Sequence, residues 1–265
     1  VTVHLVIAGG GKMGEALLGG LLRSGWCAPT EVAVAEPDAP RRAALKQLFP
    51  GVHVAESPVA ADGAIIAVKP AYVADAAGAL GAAGVGRVLS IAAGVPTSVI
   101  EAALPGGTPV VRAMPNTPAL VGAGASAIAP GSTATDDDVA WAESILAAVG
   151  VVVRVPEAQL DAVTGLSGSG PAYVFLVAEA MIAAGAAVGL PADVATTLAL
   201  QTIHGAGRML VESGQSPEDL RAAVSSPNGT TVAGLAVLDE RGVRDAFAAA
   251  IERATERSRE LGRGD

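Results

Sequence analysis

The residues able to do chemistry in this chain gather in a few short segments. Nearest the N-terminus, an apolar run ends in Gly9-Gly10-Gly11-Lys12-Met13-Gly14, a G-x-G-x-x-G whose last glycine opens an amphipathic helix. That order suits a dinucleotide. The first glycine permits a tight turn, the second lets the backbone approach a pyrophosphate, and the third lets the helix pack on the strand with its N–H groups facing the anion. A purely structural glycine turn is the competing reading, and context weakens it: an acid, Glu36, closes the next strand about twenty residues on, the usual place of a group that holds a ribose 2′-hydroxyl and repels a 2′-phosphate. Arg41 and Arg42 pull the other way, since either could reach a 2′-phosphate; they read equally well as a solvated helix face. Both NADPH and NADH are therefore expected to serve, NADPH the better. Ala67-Val68-Lys69-Pro70 follows a later strand, where ligands bind such sheets at the carboxyl edge.

Two polar, glycine-rich segments interrupt the second half: Ser167-Gly168-Ser169-Gly170-Pro171-Ala172-Tyr173 and Ser225-Ser226-Pro227-Asn228-Gly229-Thr230-Thr231. Each precedes a predicted helix. Hydroxyls and free backbone N–H groups at helix N-termini form a neutral cradle suited to a carboxylate, although serine and threonine are also ordinary helix caps. Acid–base machinery is sparse. The only lysines are Lys12, Lys46 and Lys69, and the only histidines are His4, His53 and His204. His204, inside an apolar helix, reads more readily as a core or interface residue than as a proton donor. Such a site suits a substrate that carries its own activation: a protonated imine needs orientation toward a hydride donor more than it needs a strong base. Thr231 could hold the imine nitrogen while the N–H groups of Gly229 and Thr230 hold a carboxylate. No Cys/His cluster has metal-ligand spacing, so no metal is expected.

The elements that must position these residues follow from periodicity. Short β-branched runs separated by Ala-rich stretches predict strands at Val3–Ala8, Val32–Glu36, Gly63–Val68, Arg87–Ile91, Val110–Ala113, Gly124–Ala129 and Val151–Val155, arranged as a parallel sheet. Helices fall between them, notably Met13–Ser24 and Pro40–Leu48. After Pro156 the strand signals stop, and helices are predicted at about 157–166, 171–189, 192–213, 217–223, 229–241 and 242–261. The expected fold is thus an α/β, Rossmann-like dinucleotide-binding domain over 1–156 and an all-α domain over 157–265 for substrate binding and dimerisation. With 265 residues, 51% of them apolar and 16% charged, the chain is globular. A net charge of −9 argues against a nucleic-acid partner and for small molecules. The single cysteine, Cys27, and an N-terminus without a basic leader point to the cytoplasm. Pro171–Leu190 could tempt a membrane assignment, but it carries Glu179 and no flanking basic residue. It is read instead as a buried helix, apolar on too many sides for a monomer surface and so covered by another subunit, making a dimer the minimum unit.

Over nearly its whole length the chain resembles the pyrroline-5-carboxylate reductases. The resemblance rests on Gly9–Gly14, Ala67–Pro70, Ala92-Ala93-Gly94, Met114-Pro115-Asn116-Thr117-Pro118, Asp161–Thr164 through Tyr173, and the stretch around Ser225–Thr231. It implies reduction of 1-pyrroline-5-carboxylate to proline by an enzyme built from dimers. It also implies that Ala67, Val68, Lys69, Pro70, Ala92, Ala93 and Gly94 line the cofactor, that Asn116 lies near the nicotinamide, and that Ser226, Gly229, Thr230 and Thr231 bind substrate with Glu157 close by. Two positions depart from the pattern: Glu36 stands where a small or basic residue is frequent, and Asn228 where a second glycine is common. The rival readings are a reductase of another small imine or keto acid, and a nucleotide-sensing binding protein without chemistry.

Overall fold

A computed structural model describes residues 3–263. Eight strands form one sheet in the order β3-β2-β1-β4-β5-β6-β7-β8. They are β1 (Leu5–Ala8), β2 (Val32–Ala35), β3 (His53–Ala55), β4 (Gly63–Ile66), β5 (Val88–Ser90), β6 (Val110–Met114), β7 (Gly124–Pro130) and β8 (Gly150–Arg154). The first six are parallel to one another. Alternate residues of a strand face opposite sides, and both sides are covered. Leu5 and Ile7 join Leu17, Leu18 and Leu21 of α1 (Lys12–Ser24) in one core, while Val6 and Ala8 join Val73, Ala77 and Leu80 of α3 (Val73–Ala82) in the other. Between these helices in sequence lies α2 (Ala39–Leu48); α4 (Thr97–Ala103) and α5 (Asp136–Ala147) follow.

The sheet departs from the fully parallel expectation at one place. β6 and β7 pair antiparallel, with Arg112 opposite Ala129. Only the turn Thr117–Val121 lies between them, too little chain for the crossover that a parallel neighbour needs. β8, reached through the longer α5, is again parallel to β7. β3 is an additional strand. It is three residues long and begins with an exposed histidine, so it carries almost no apolar signal.

Beyond β8 the chain is helical: α6 (Leu160–Val163), a π-turn over Thr164–Gly168, α7 (Gly170–Ala187), α8 (Ala192–Glu212), α9 (Pro217–Ala223), α10 (Thr230–Glu240) and α11 (Val243–Arg263). The predicted helix at 157–166 is replaced by a 3-10 turn, Glu157–Gln159, followed by α6 and the π-turn. By packing, the chain up to Ser169 and from Glu252 onward forms one compact unit and Gly170–Ile251 a second. The boundary drawn at 156/157 marks the end of strand; packing continues past it because Leu160 is buried with Ala127 and Ala129 of β7. The ends of the two expected domains, residues 1–2 and 264–265, lie outside the described residues. In the second unit α7 is mostly exposed rather than buried by its own chain. Only Ala178 of that helix is buried, and Phe175 is 61% exposed.

Candidate functional site

The site begins at the turn after β1. Gly9 has φ +107°, and a Cβ there would stand 2.6 Å from the Ala67 carbonyl oxygen, so both conformation and space require glycine. Gly14 packs α1 back on the same turn: its Cβ would lie 2.1 Å from the Gly9 carbonyl oxygen. Gly11, the N-cap of α1, faces open space, and no side chain caps the helix. The first-turn N–H groups of Lys12, Met13 and Gly14 therefore have no partner within the helix. A Cβ-free approach ending in an uncapped helix N-terminus, at the carboxyl edge where the strand order reverses between β1 and β4, fits a pyrophosphate.

The corner between β1 and β2 is built around Gly10. Its N–H donates to Glu36 Oε2 at 2.9 Å, and Asp38 N–H donates to Glu36 Oε1 at 2.9 Å. Arg41 donates from Nε to the Gly10 carbonyl at 2.6 Å and from Nη2 to the Glu15 carboxylate. Arg42 donates to the carbonyls of Glu36 and Pro37 and pairs with exposed Glu56 at 3.7 Å. Both arginines are thus engaged, which sequence alone left open. Glu15, the partner of Arg41, carries no signal of its own in the sequence, because an acid in a first helical turn is commonplace.

A cavity of about 260 Å³ opens at the ends of β4, β5 and β6, beside the first turn of α1. Its walls include Met13, Ala67, Val68, Pro70, Ala92, Ala93 and Asn116, seven of the expected cofactor residues, together with Ile91, Met114, Pro115, Thr117 and Gly168. Lys69 is exposed beside this cavity and Gly94 is buried behind it, against the end of α11; neither is among its lining residues. Asn116 is buried at 8% exposure: its Oδ1 accepts from Ala125 N–H at 2.9 Å and its Nδ2 donates to the Ser167 carbonyl at 3.1 Å. Gly168, expected in a second carboxylate cradle, forms cavity wall instead, where a Cβ would stand 2.5 Å from Met114 Cε.

Glu157 is tied into the same unit. It accepts from Thr97 N–H at 2.7 Å, from Thr97 Oγ1 at 2.8 Å and from Arg112 Nη1 at 3.2 Å. Burial pushes its carboxyl up, but the Thr97 hydrogen bonds and the Arg112 guanidinium outweigh this and hold it below the ordinary glutamate value.

In the second unit, Gly229 is the N-cap of α10 and leaves that helix without a side-chain cap. Thr230 and Thr231 are its first two residues, so Thr231 is not the capping residue. The turn before it is closed by Gly229 N–H donating to the Ser226 carbonyl at 2.9 Å. Asn228 takes φ +60°, the one positive φ outside glycine among the described residues; asparagine meets the demand made where a second glycine is common. His204 is exposed and His4 is held by Asp62.

A 3-2-1-4-5-6 strand order, an uncapped glycine turn at its reversal and a largely helical second unit define a nicotinamide-dinucleotide-dependent oxidoreductase. Residues 157–261 match the family model for pyrroline-5-carboxylate reductase dimerisation, and 4–94 match that for NADP oxidoreductase, coenzyme F420-dependent. The chain is 44% identical to a pyrroline-5-carboxylate reductase of Synechocystis, over 99% of this chain and 100% of that one. Among solved structures, the pyrroline-5-carboxylate reductase of Coxiella burnetii superposes with a TM-score of 0.91 at 36% identity, covering 98% of this chain and 99% of that one. The NADP-bound pyrroline carboxylate reductase of Plasmodium falciparum gives 0.85 at 27% identity, covering 98% of each. The chain belongs to the pyrroline-5-carboxylate reductase family.

Proposed function

We propose that this protein reduces 1-pyrroline-5-carboxylate to L-proline with NAD(P)H, the last step of proline biosynthesis. When bound, the dinucleotide supplies a hydride that adds to the carbon of the protonated C=N bond; the π electrons become the nitrogen lone pair, and the ring leaves as a secondary amine. The turn Gly9–Gly14 holds the pyrophosphate, Glu36 and Arg41 the adenosine ribose, and the cavity walled by Ala67, Val68, Ala92, Ala93 and Asn116 the nicotinamide, with Pro70, Lys69 and Gly94 shaping the loops around it. In the second unit the N–H groups at the start of α10 hold the substrate carboxylate with Ser226, and the Thr231 hydroxyl orients the ring nitrogen. Glu157 serves by positioning, because its carboxylate is committed to Thr97 and Arg112.

The observation that carries the substrate assignment is the N-terminus of α10. It offers backbone donors without a capping side chain and places Thr231 at the second helical position, in a chain with no lysine after Lys69. Thr231→Ala should lower kcat/KM by about ten- to a hundredfold, the cost of one polar contact to the reacting ring, with the melting temperature and NADPH binding nearly unchanged. Thr231→Ser should retain most activity. A stability loss without a rate loss would reduce Thr231 to a helix-start residue, and preferential turnover of keto acids over pyrroline-5-carboxylate would overturn the substrate.

The active form is a homodimer or a larger assembly of dimers. This is supported by the apolar groove of about 740 Å³ among α7, α10 and α11, lined by Tyr173, Leu176, Met181, Leu238 and Phe247. Glu157–Ala187 is also long and apolar enough to cross a membrane, but a face within the matched dimerisation region is better explained by association. The proposed location is the cytoplasm, a reducing compartment that suits a single free, buried cysteine.

A further inference from the structure

We propose that Glu15 is a specificity-determining residue: by pairing with Arg41 it withholds that guanidinium from an adenosine 2′-phosphate and so holds back preference for the phosphorylated cofactor. The inference rests on the reading of the β1 turn as the dinucleotide site and adds a residue to it.

Three groups converge on Gly10. Glu36 takes its N–H at 2.9 Å, Arg41 covers its carbonyl at 2.6 Å, and Glu15 takes the Nη2 side of the same guanidinium. The α2 end is anchored as well, since Arg41 N–H donates to Asp38 Oδ2 at 3.0 Å. Arg41 therefore stands at the ribose corner with its position fixed by backbone. Its side chain is 25% exposed and that of Glu15 26%, so the pair is only partly screened by water. A guanidinium placed there would recognise a phosphate through charge-assisted hydrogen bonds. One Nη2 N–H, however, is directed to a carboxylate of opposite charge that offsets the guanidinium's field, and Glu36 adds a second negative charge against a phosphate. Arg42 does not substitute, being held on the Glu36 and Pro37 carbonyls. A ribose carrying only hydroxyls meets no such competition, because it needs an acceptor and Glu36 supplies one.

The test compares adenosine 2′,5′-bisphosphate with 5′-AMP, titrated calorimetrically into the unaltered protein and its Glu15→Gln variant. Glutamine keeps the length and a carbonyl acceptor for Arg41 but removes the charge. The expected result is bisphosphate binding tightened by roughly two- to fivefold, the scale of one partly exposed ion pair, with 5′-AMP changed less than about 1.5-fold. In an Arg41→Ala background, Glu15→Gln should give no selective gain. Equal tightening of both nucleotides would mean that Glu15 acts only through its field at the pyrophosphate and would overturn the proposal, as would an unchanged ratio or a selective gain that survives Arg41→Ala. If neither nucleotide binds the unaltered protein, the dinucleotide assignment of this corner falls and the proposal falls with it.

Discussion

Asn116→Asp probes the wall of the cavity proposed for the nicotinamide with a change of one atom. In a regular helix the Ser167 carbonyl would accept from the N–H of residue 171, but that residue is proline and has none. Asn116 Nδ2 supplies the missing donor at 3.1 Å, while Ala125 N–H, donating at 2.9 Å, fixes which end of the amide is oxygen. Aspartate keeps the acceptor for Ala125 but turns an oxygen lone pair toward the Ser167 carbonyl in a site that is 8% exposed. The loss combines a partly buried carbonyl left without a donor and a buried carboxylate, about 2–4 kcal/mol, or about 4–16 °C in melting temperature for a chain of this size.

The sign with pH follows from the same geometry. When protonated, the introduced carboxyl restores the donor, so the folded state raises its pKa above the unfolded aspartate value of about 3.9. That contribution is fully present below the unfolded value and is lost as pH rises through the folded one. The melting-temperature gap to the unaltered protein should therefore be full at pH 7.5 and narrow on acidification, in scans at one protein concentration. A gap below about 2 °C at pH 7.5, or one that does not narrow in acid, would refute the account of Asn116 as the replacement donor.

The opposite sign is expected at Glu157, whose folded carboxyl lies below its ordinary value. Its contribution is present above the unfolded pKa and lost as pH falls through the folded one, so Glu157→Gln should cost about 1–3 kcal/mol at pH 7 and progressively less below about pH 4.5; a pH-independent difference in denaturant midpoints would remove the charged network. Glu36→Ser takes the acceptor from the Gly10 and Asp38 N–H groups and should shift the NADPH to NADH ratio of kcat/KM toward NADPH; an unchanged ratio would mean that the acid does not face the ribose. Phe175→Glu, on the 61% exposed face of α7, should yield monomers in sedimentation velocity where the unaltered chain gives dimers or larger, and an unaltered chain that is a stable, active monomer would end the association argument.

The dinucleotide half was legible because its signals are local. A glycine pattern must follow a strand and precede a helix, and β1 and α1 end within a residue or so of where that pattern requires. Strand direction is not local, so the antiparallel β7 could be found only from the length of the turn before it. The π-turn at Thr164–Gly168 has the same apolar content as the helix expected there, and hydropathy does not distinguish the two. Around Gly10 the arginines were visible but their partners were not. Pairing Arg41 with Glu15 depends on α1 and α2 coming together around Gly10, a tertiary fact. In the second half, the small-residue turn before α10 announced a helix start, and the structure adds that Gly229, not a threonine, is its cap.

The two halves differ in how they obtain their stability, and this bears on function. The sheet unit buries large side chains such as Leu5, Ile7, Leu17, Ile65 and Leu89 completely. Within Gly170–Ile251 the buried apolar residues are Ala178, Ala195 and Ala199, while Leu176, Val188 and Val211 are exposed by 65%, 84% and 84%. Ordering a residue costs about 1–2 kcal/mol in backbone entropy alone, and alanines contribute little of the apolar area that offsets it, whereas a buried Leu or Phe contributes about 1.5–3 kcal/mol. By itself such a unit is short of the burial a fold requires, and covering its apolar faces with another copy supplies what is missing. The α10 N-terminus that is to hold the substrate belongs to this unit, while the Gly9–Gly14 turn belongs to the self-sufficient one. On the proposed reading of α10 as the substrate site, association should be a condition for that site, and dinucleotide binding the function that outlasts dissociation.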